Sequence, residues 1–183
     1  MTTGAFAGLV GAVLAGTLLC AGAAKMAVPI HLSRTIRSLL PVAATYAVVL
    51  TRVVAGTEIG AALALSVPAT RNVGAVAGIV LGTAMAATGA AGAARRLRSP
   101  CGCFGRAAGR PLGLPNVAFG VVVIGLSVLL LADRSGGWAG NDGLPVLGTA
   151  AVALMLTGWL HRAMIKDLCR PLPRVRATAT GGG

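Results

Sequence analysis

Long apolar runs alternate with short polar or basic stretches along this chain. Four runs, at residues 6–28, 44–67, 73–94 and 114–132, are each long enough to cross a hydrocarbon core of about 30 Å as an α-helix. A fifth run at residues 144–160 is shorter and lies at the lower limit of spanning length. The pattern predicts an all-α fold, namely a polytopic transmembrane helical bundle that has four long spans and a shorter fifth span.

The runs divide the chain into three parts. We predict a membrane domain over residues 1–132, an additional C-terminal span within residues 133–160, and a basic, disordered tail over residues 161–183. The small residues at 21–24 would also suit the cut site of a signal peptide, but no basic residue precedes the first run. We therefore interpret the first run as a span.

The composition excludes the usual soluble classes. Hydrophobic residues make up 56% of the chain and charged residues only 11%, which a soluble domain rarely tolerates. A net charge of +12 would suit a nucleic-acid-binding protein, yet the chain has only three Phe, two Trp and one Tyr, and its arginines fall between apolar runs. The charge therefore indicates a lipid bilayer surface and no nucleic acid.

Successive connections between the runs are alternately rich and poor in basic residues. One set of connections and the tail holds Arg34, Arg37, Arg95, Arg96, Arg98, Arg106, Arg110, Arg162, Lys166, Arg170, Arg174 and Arg176. The other set holds Arg71 and Arg134. The positive-inside rule then predicts a multi-pass protein of the plasma membrane, with its N-terminus outside and its C-terminus in the cytoplasm.

Charges inside the spans are informative because a buried charge in hydrocarbon is costly and usually faces a partner or a water-filled cavity. Glu58 lies well inside the second run, so it is a candidate proton relay or one half of a buried ion pair. Arg52 is six residues earlier and therefore off the helical face of Glu58. Lys25, near the end of the first run, is the better candidate partner for Glu58.

Glycines recur four residues apart in the first three runs or directly before them, at Gly4 and Gly8, Gly56 and Gly60, and Gly74, Gly78 and Gly82. This spacing lets helix backbones approach closely inside a membrane. We expect a tightly packed bundle.

Reactive side chains collect in the segment SPCGCFG at residues 99–105. Cys101 and Cys103 are one residue apart, so the two thiols can form a local disulfide, exchange electrons with a partner thiol, or share a soft metal ion. The five arginines that surround them favour the thiolate, which is the form that attacks disulfides and binds metals.

The remaining metal-ligating side chains, Cys20, Cys169, His31 and His161, are also drawn toward the basic side of the predicted bundle. Cys101, Cys103 and one of these histidines could together form a metal site, but the paired C-x-x-C spacing of zinc and iron sites is missing. The sequence neither requires nor excludes a bound metal ion or quinone.

Several of these features together resemble a known family: the motif CGCFG at residues 101–105, Lys25, Leu40 with Pro41, the EIG segment at residues 58–60, and Asn116. Over roughly residues 5–132 the chain resembles the methylamine utilisation protein MauE family, which is similar to DoxX-like integral membrane proteins. The chain departs from the family pattern at Pro100, where an acidic residue is expected, and at Pro115, where an arginine is expected.

The resemblance implies a redox-associated membrane protein that acts with a thioredoxin-like partner in the maturation of methylamine dehydrogenase. By this resemblance Cys101 and Cys103 are the redox pair, and amine dehydrogenase subunits are further partners. The protein would then be a component of a thiol-disulfide oxidoreductase system. Two alternatives stay open: a non-enzymatic membrane assembly factor, and a metal-binding membrane protein whose cysteines are structural. The arginine count places the pair on the cytoplasmic side, whereas maturation of an exported enzyme needs thiols outside.

Overall fold

The computed structural model describes residues 3–97 and 112–133 together with the single helical positions 148, 151 and 155. Its helices are α1 (Thr3–Ala27), α2 (Ile30–Leu39), α3 (Ala44–Ser66), α4 (Arg71–Ala94) and α5 (Leu114–Ala132), and a 3-10 turn at Pro68–Thr70 precedes α4. Within the described residues there is no strand. The predicted all-α class is confirmed.

Four of these helices are long and apolar enough to cross a membrane, namely α1, α3, α4 and α5. They correspond to the four longest apolar runs, so the predicted polytopic helical bundle is also confirmed. The fifth run lies outside the described residues except for its three helical positions. One of these, Gly148, lies beside α1, because a Cβ added to it would be 3.5 Å from the Cβ of Ala12.

The short helix α2 was not expected from the hydropathy pattern. It occupies the connection between α1 and α3, begins directly after Pro29, and ends shortly before Pro41. Leu32, Ile36 and Leu39 recur at helical spacing and are half-buried, whereas the two arginines of the helix are exposed. This amphipathic pattern is the sequence signal that could have predicted α2. A search for runs long enough to span a membrane overlooks a ten-residue helix.

The helices pack in two pairs, α1 with α3 and α4 with α5, which meet through the contact of α3 with α4. The core between them is formed by aliphatic side chains that are almost fully buried: Leu14, Leu18, Leu65, Val123 and Leu130. Among the four membrane-length helices, α1 is the most buried. It packs mainly against α3, with a smaller contact to α5.

The glycine pattern has a mixed outcome. Gly74 packs against Leu65 of α3, and Gly82 packs against the backbone of α5, so close packing is confirmed for these positions of α4. Gly56 and Gly60 make no such contact within the described part of the chain, since a Cβ added to either would meet no described atom within 4 Å. Four-residue spacing places glycines on one face of a helix, but it does not say whether that face meets a neighbour.

Two polar contacts define the ends of the bundle. At one end, Nη1 of Arg95 donates a hydrogen bond to the carbonyl oxygen of Leu39 at 2.9 Å, which joins the C-termini of α4 and α2. At the other end, Nη2 of Arg71 donates to the carbonyl oxygens of Asp133 at 2.8 Å and Leu130 at 3.3 Å. Nη1 of Arg71 lies 3.5 Å from Oδ2 of Asp133. The connections thus alternate between ends.

We expect Arg71→Met to lower the free energy of unfolding by about 2 kcal/mol, because the variant removes a buried guanidinium from two carbonyl acceptors. Asp133→Asn is the matched control. It keeps both carbonyl bonds and weakens only the ion pair, so its loss should stay below about 1 kcal/mol. Unfolding by SDS titration in mixed micelles measures both, and equal losses would contradict the assignment of the carbonyl bonds as the main contribution.

Candidate functional site

A buried ion pair joins α1 to α3. Nζ of Lys25 lies 2.7 Å from Oε1 and 2.7 Å from Oε2 of Glu58, so the ammonium is shared by both carboxylate oxygens. A weaker contact of 3.4 Å connects Nζ to the carbonyl oxygen of Ala21, one turn earlier in α1. Both side chains are only 2% exposed. The structure therefore brings together the two charged residues that the sequence singled out inside the first two spans.

A glycine one turn before the lysine makes this geometry accessible. A Cβ added to Gly22 would lie 2.7 Å from Cγ1 of Ile59 and 2.8 Å from the carbonyl oxygen of Ala55. Any side chain at this position would force α1 away from α3. The lysine side chain then runs back along α1, as helical side chains do, and its ammonium reaches the carboxylate across the gap.

The ion pair is distant from both ends of α3. Glu58 follows the first residue of the helix, Ala44, by 14 residues and precedes the last, Ser66, by 8, which at 1.5 Å per residue is about 21 Å and about 12 Å. Lys25 stands in the last turn of α1 and reaches Glu58 through its long side chain, and both side chains are shielded from solvent at 2% exposure. Mutual compensation is therefore what makes two ionised groups tolerable in the hydrocarbon region.

Arg52 is not part of this site. It is exposed on the outer surface of α3, whereas Glu58 is buried on the inner surface. This separation follows from their spacing of six residues, which is more than one and a half helical turns.

The cysteine pair of the sequence, Cys101 and Cys103, lies outside the described residues, as do Cys169 and His161. Cys20 is buried in α1, and His31 is half-buried in α2. Within the described part of the chain, no cluster of three or more His, Cys, Asp or Glu side chains could hold a metal ion.

Two polar features were missed by sequence reasoning. The Arg71 and Asp133 contact joins residues 62 positions apart; the sequence pattern assigns Arg71 to a connection and does not single out Asp133. Asn116 carries a buried amide nitrogen, Nδ2, without a hydrogen-bond partner among the described residues. It lies where α5 meets Gly89 of α4, and only the resemblance drew attention to it. Pairing between distant segments leaves no local signal in a single sequence.

Four membrane-length helices, two of which are joined by a buried lysine and glutamate pair, define a multi-pass helical membrane protein with a charge-compensated interior. The family model described as methylamine utilisation protein MauE matches residues 3–133, which include every complete helix described above and the connection that carries Cys101 and Cys103. The chain belongs to the MauE family and is thereby a membrane protein of methylamine utilisation. Comparisons with curated proteins and with solved structures gave no significant match.

Proposed function

We propose that the protein is a membrane-embedded thiol-disulfide redox component in which Cys101 and Cys103 form the reactive pair and a thioredoxin-like protein is the exchange partner. The process it serves is the maturation of methylamine dehydrogenase, in keeping with the family description. The observation that carries the proposal is the family match, because it spans the Cys-Gly-Cys segment itself and not only the apolar helices.

The position of the pair in the chain supports a reaction at one end of the bundle. Cys101 follows Leu97 by four residues, so the extended chain keeps it within about 14 Å of Leu97, which stands three residues after the end of α4. Arg95 and Arg96 are exposed at that end. Nearby guanidinium groups stabilise a thiolate and so favour the attacking form of cysteine.

The proposed step is a two-electron exchange. A thiolate of a partner dithiol attacks one sulfur of the Cys101–Cys103 disulfide, which forms a mixed disulfide and releases the other sulfur as a thiolate. The second partner thiol then attacks the mixed disulfide. The partner ends as a disulfide, and this chain ends as a dithiol after two electrons and two protons have been transferred. In the reverse reaction, the Cys101 and Cys103 dithiol reduces a disulfide of the partner and is itself oxidised to a disulfide.

For Lys25 and Glu58 we propose the role of an interhelical lock that fixes α1 against α3. Two observations favour this role over a proton relay. Both oxygens of the carboxylate are already engaged by Nζ of Lys25 at 2.7 Å. The pair also lies about 21 Å along α3 from the end of the bundle where α4 terminates and the cysteine segment begins.

Cys101→Ser or Cys103→Ser should abolish disulfide maturation of co-expressed methylamine dehydrogenase, because a single thiol cannot complete the exchange. Maleimide labelling of the unsubstituted pair should switch reversibly between blocked and reactive states with oxidant and reductant. Cys20→Ser is the control, since this cysteine is buried in α1, and it should preserve both results.

The alternatives give different outcomes in the same experiment. An assembly factor with structural cysteines would tolerate both serine replacements and keep its labelling constant. A metal-binding protein would purify with near-stoichiometric zinc or iron that is lost in either serine variant. Either result would contradict the redox proposal.

A further inference from the structure

The basic end of the bundle presents four exposed arginines, Arg34 and Arg37 on α2 and Arg95 and Arg96 at the end of α4. We call this group the arginine rim. The hydrogen bond from Arg95 to the carbonyl oxygen of Leu39 holds the two helix ends together, so the four arginines lie at the same end of the bundle. Only one N–H of Arg95 is used in this bond, and a guanidinium has five donors.

No carboxylate in the described part of the chain balances this charge. The acidic residues there are Glu58, which is bound to Lys25 in the bundle interior, and Asp133, which contacts Arg71 at the opposite end. The full chain has 16 basic residues against 4 acidic ones, so the other two acidic residues cannot neutralise the excess. The C-termini of α2 and α4 each carry about half a negative charge, which four arginines exceed.

Arg96 gives a second, independent observation. The N–H of Leu97 bonds to the carbonyl oxygen of Gly92, and the N–H of Arg96 bonds to that of Ala93, which is the hydrogen-bond pattern of a Schellman motif. Arg96 therefore occupies the left-handed position of the motif, with φ of 49°. Glycine adopts this conformation without strain and arginine does not. The chain thus places a charged side chain where a glycine would be more stable.

Neighbouring residues place the rim at the level of lipid headgroups. Tyr46, two residues into α3 at the same end, is 73% exposed, and Leu40 in the preceding connection is 49% exposed. Exposed tyrosines of membrane proteins concentrate at the interface between hydrocarbon and headgroups. An exposed tyrosine and an exposed leucine near arginines are what we expect where a helix end meets the lipid surface.

We propose that the arginine rim is a binding surface for the phosphate headgroups of anionic phospholipids in the leaflet that it faces. Guanidinium groups bind phosphate oxygens in a bidentate manner, and their net charge draws anionic lipids over zwitterionic ones. The lipid supplies the counter-charge that the described protein lacks at this end. This inference does not depend on the redox proposal, since it involves neither cysteine of the pair.

The test uses the full-length protein in nanodiscs of phosphatidylcholine with or without phosphatidylglycerol. Mass spectrometry of the lipids that remain bound after detergent extraction gives the enrichment of phosphatidylglycerol over phosphatidylcholine. We expect clear enrichment for the unsubstituted protein and a loss of about fivefold for each rim arginine that is removed, as in Arg34→Gln, Arg37→Gln and Arg96→Gly.

Arg96→Gly separates binding from folding, because it relieves the left-handed strain while it removes the charge. Its apparent melting temperature should be equal to or higher than that of the unsubstituted protein, although its lipid enrichment falls. Arg96→Lys is the matched control, which keeps the charge at the same backbone position and should retain most of the enrichment.

Three outcomes would overturn the proposal. The first is equal retention of the two lipids by the unsubstituted protein. The second is unchanged enrichment in all three charge-removing variants. The third is complete loss of enrichment on adding inorganic phosphate at constant ionic strength, which would indicate a site for a free anion. Persistence of the enrichment in phosphate supports a lipid headgroup as the ligand.

Discussion

Replacing Glu58 by Gln should lower the free energy of unfolding by about 3–5 kcal/mol, the largest loss expected from any single substitution in the bundle. The reason is the environment of Lys25, whose ammonium is 2% exposed and has the carboxylate at 2.7 Å as its main partner among the described residues. Without the carboxylate, an ammonium remains in the membrane interior. Lys25→Met should have a loss of similar size, because it strands the glutamate instead.

The double variant Lys25→Met with Glu58→Leu should recover most of the loss. Replacing both members of a buried ion pair by apolar residues of similar volume is often neutral or stabilising, whereas removing one member is not. SDS titration in mixed micelles gives the unfolding free energies, and Thr57→Val, at an exposed neighbour of Glu58, serves as the control for a surface change.

The same double variant distinguishes the two roles considered for the pair. An interhelical lock predicts that the apolar double variant folds and still shows reversible maleimide labelling of Cys101 and Cys103. A proton relay predicts a well-folded protein whose thiol exchange is lost. Losses that simply add in the double variant would contradict the compensating ion pair altogether.

The second large effect is expected at the crossing of α4 and α5. A Cβ added to Gly120 would lie 2.5 Å from the carbonyl oxygen of Gly82 and 2.7 Å from the backbone nitrogen of Ala86. These are backbone atoms, so no side-chain rotation can relieve the overlap. Gly120→Ala should therefore destabilise by about 3 kcal/mol, at the upper end of the range for overpacking.

Gly125 is a matched control on the same helix, since a Cβ added there meets no described atom within 4 Å. Gly125→Ala should be neutral or stabilise α5 by about 0.5–1 kcal/mol, because alanine has less backbone entropy to lose than glycine. Thermal unfolding in detergent ranks the two variants. A Gly120→Ala protein as stable as the Gly125→Ala protein would show that the helices do not cross at these glycines.

Hydropathy and length are sufficient to predict the spans, because only a long apolar helix satisfies its backbone inside a bilayer. The cost of an intramembrane charge likewise singles out Lys25 as the partner for Glu58, and the two meet at 2.7 Å. The sequence was less informative about which face of a helix meets a neighbour and about which distant residues form pairs. Gly56 and Gly60 share the spacing of Gly74 and Gly78 but point away from the described bundle, and this depends on how α3 is rotated.

The helix α2 and the contact between Arg71 and Asp133 are two further features that the sequence did not predict. A hydropathy window is tuned to segments of about twenty residues, so it averages a ten-residue amphipathic helix into its polar surroundings. Arg71 and Asp133 are neighbours only because α4 and α5 run antiparallel with their ends aligned. The cysteine segment lies outside the described helices but within the range of the family match. The labelling experiments test the redox chemistry that we propose for this segment.

The separation of Lys25 and Glu58 along the chain has a consequence for biosynthesis. The ribosome produces the lysine 33 residues before its counter-ion. During this interval α1 carries an uncompensated charge, which opposes its release from the insertion machinery into lipid. The smallest neutralised unit is the hairpin of α1 and α3, so we expect these two helices to enter the bilayer as a pair rather than one at a time.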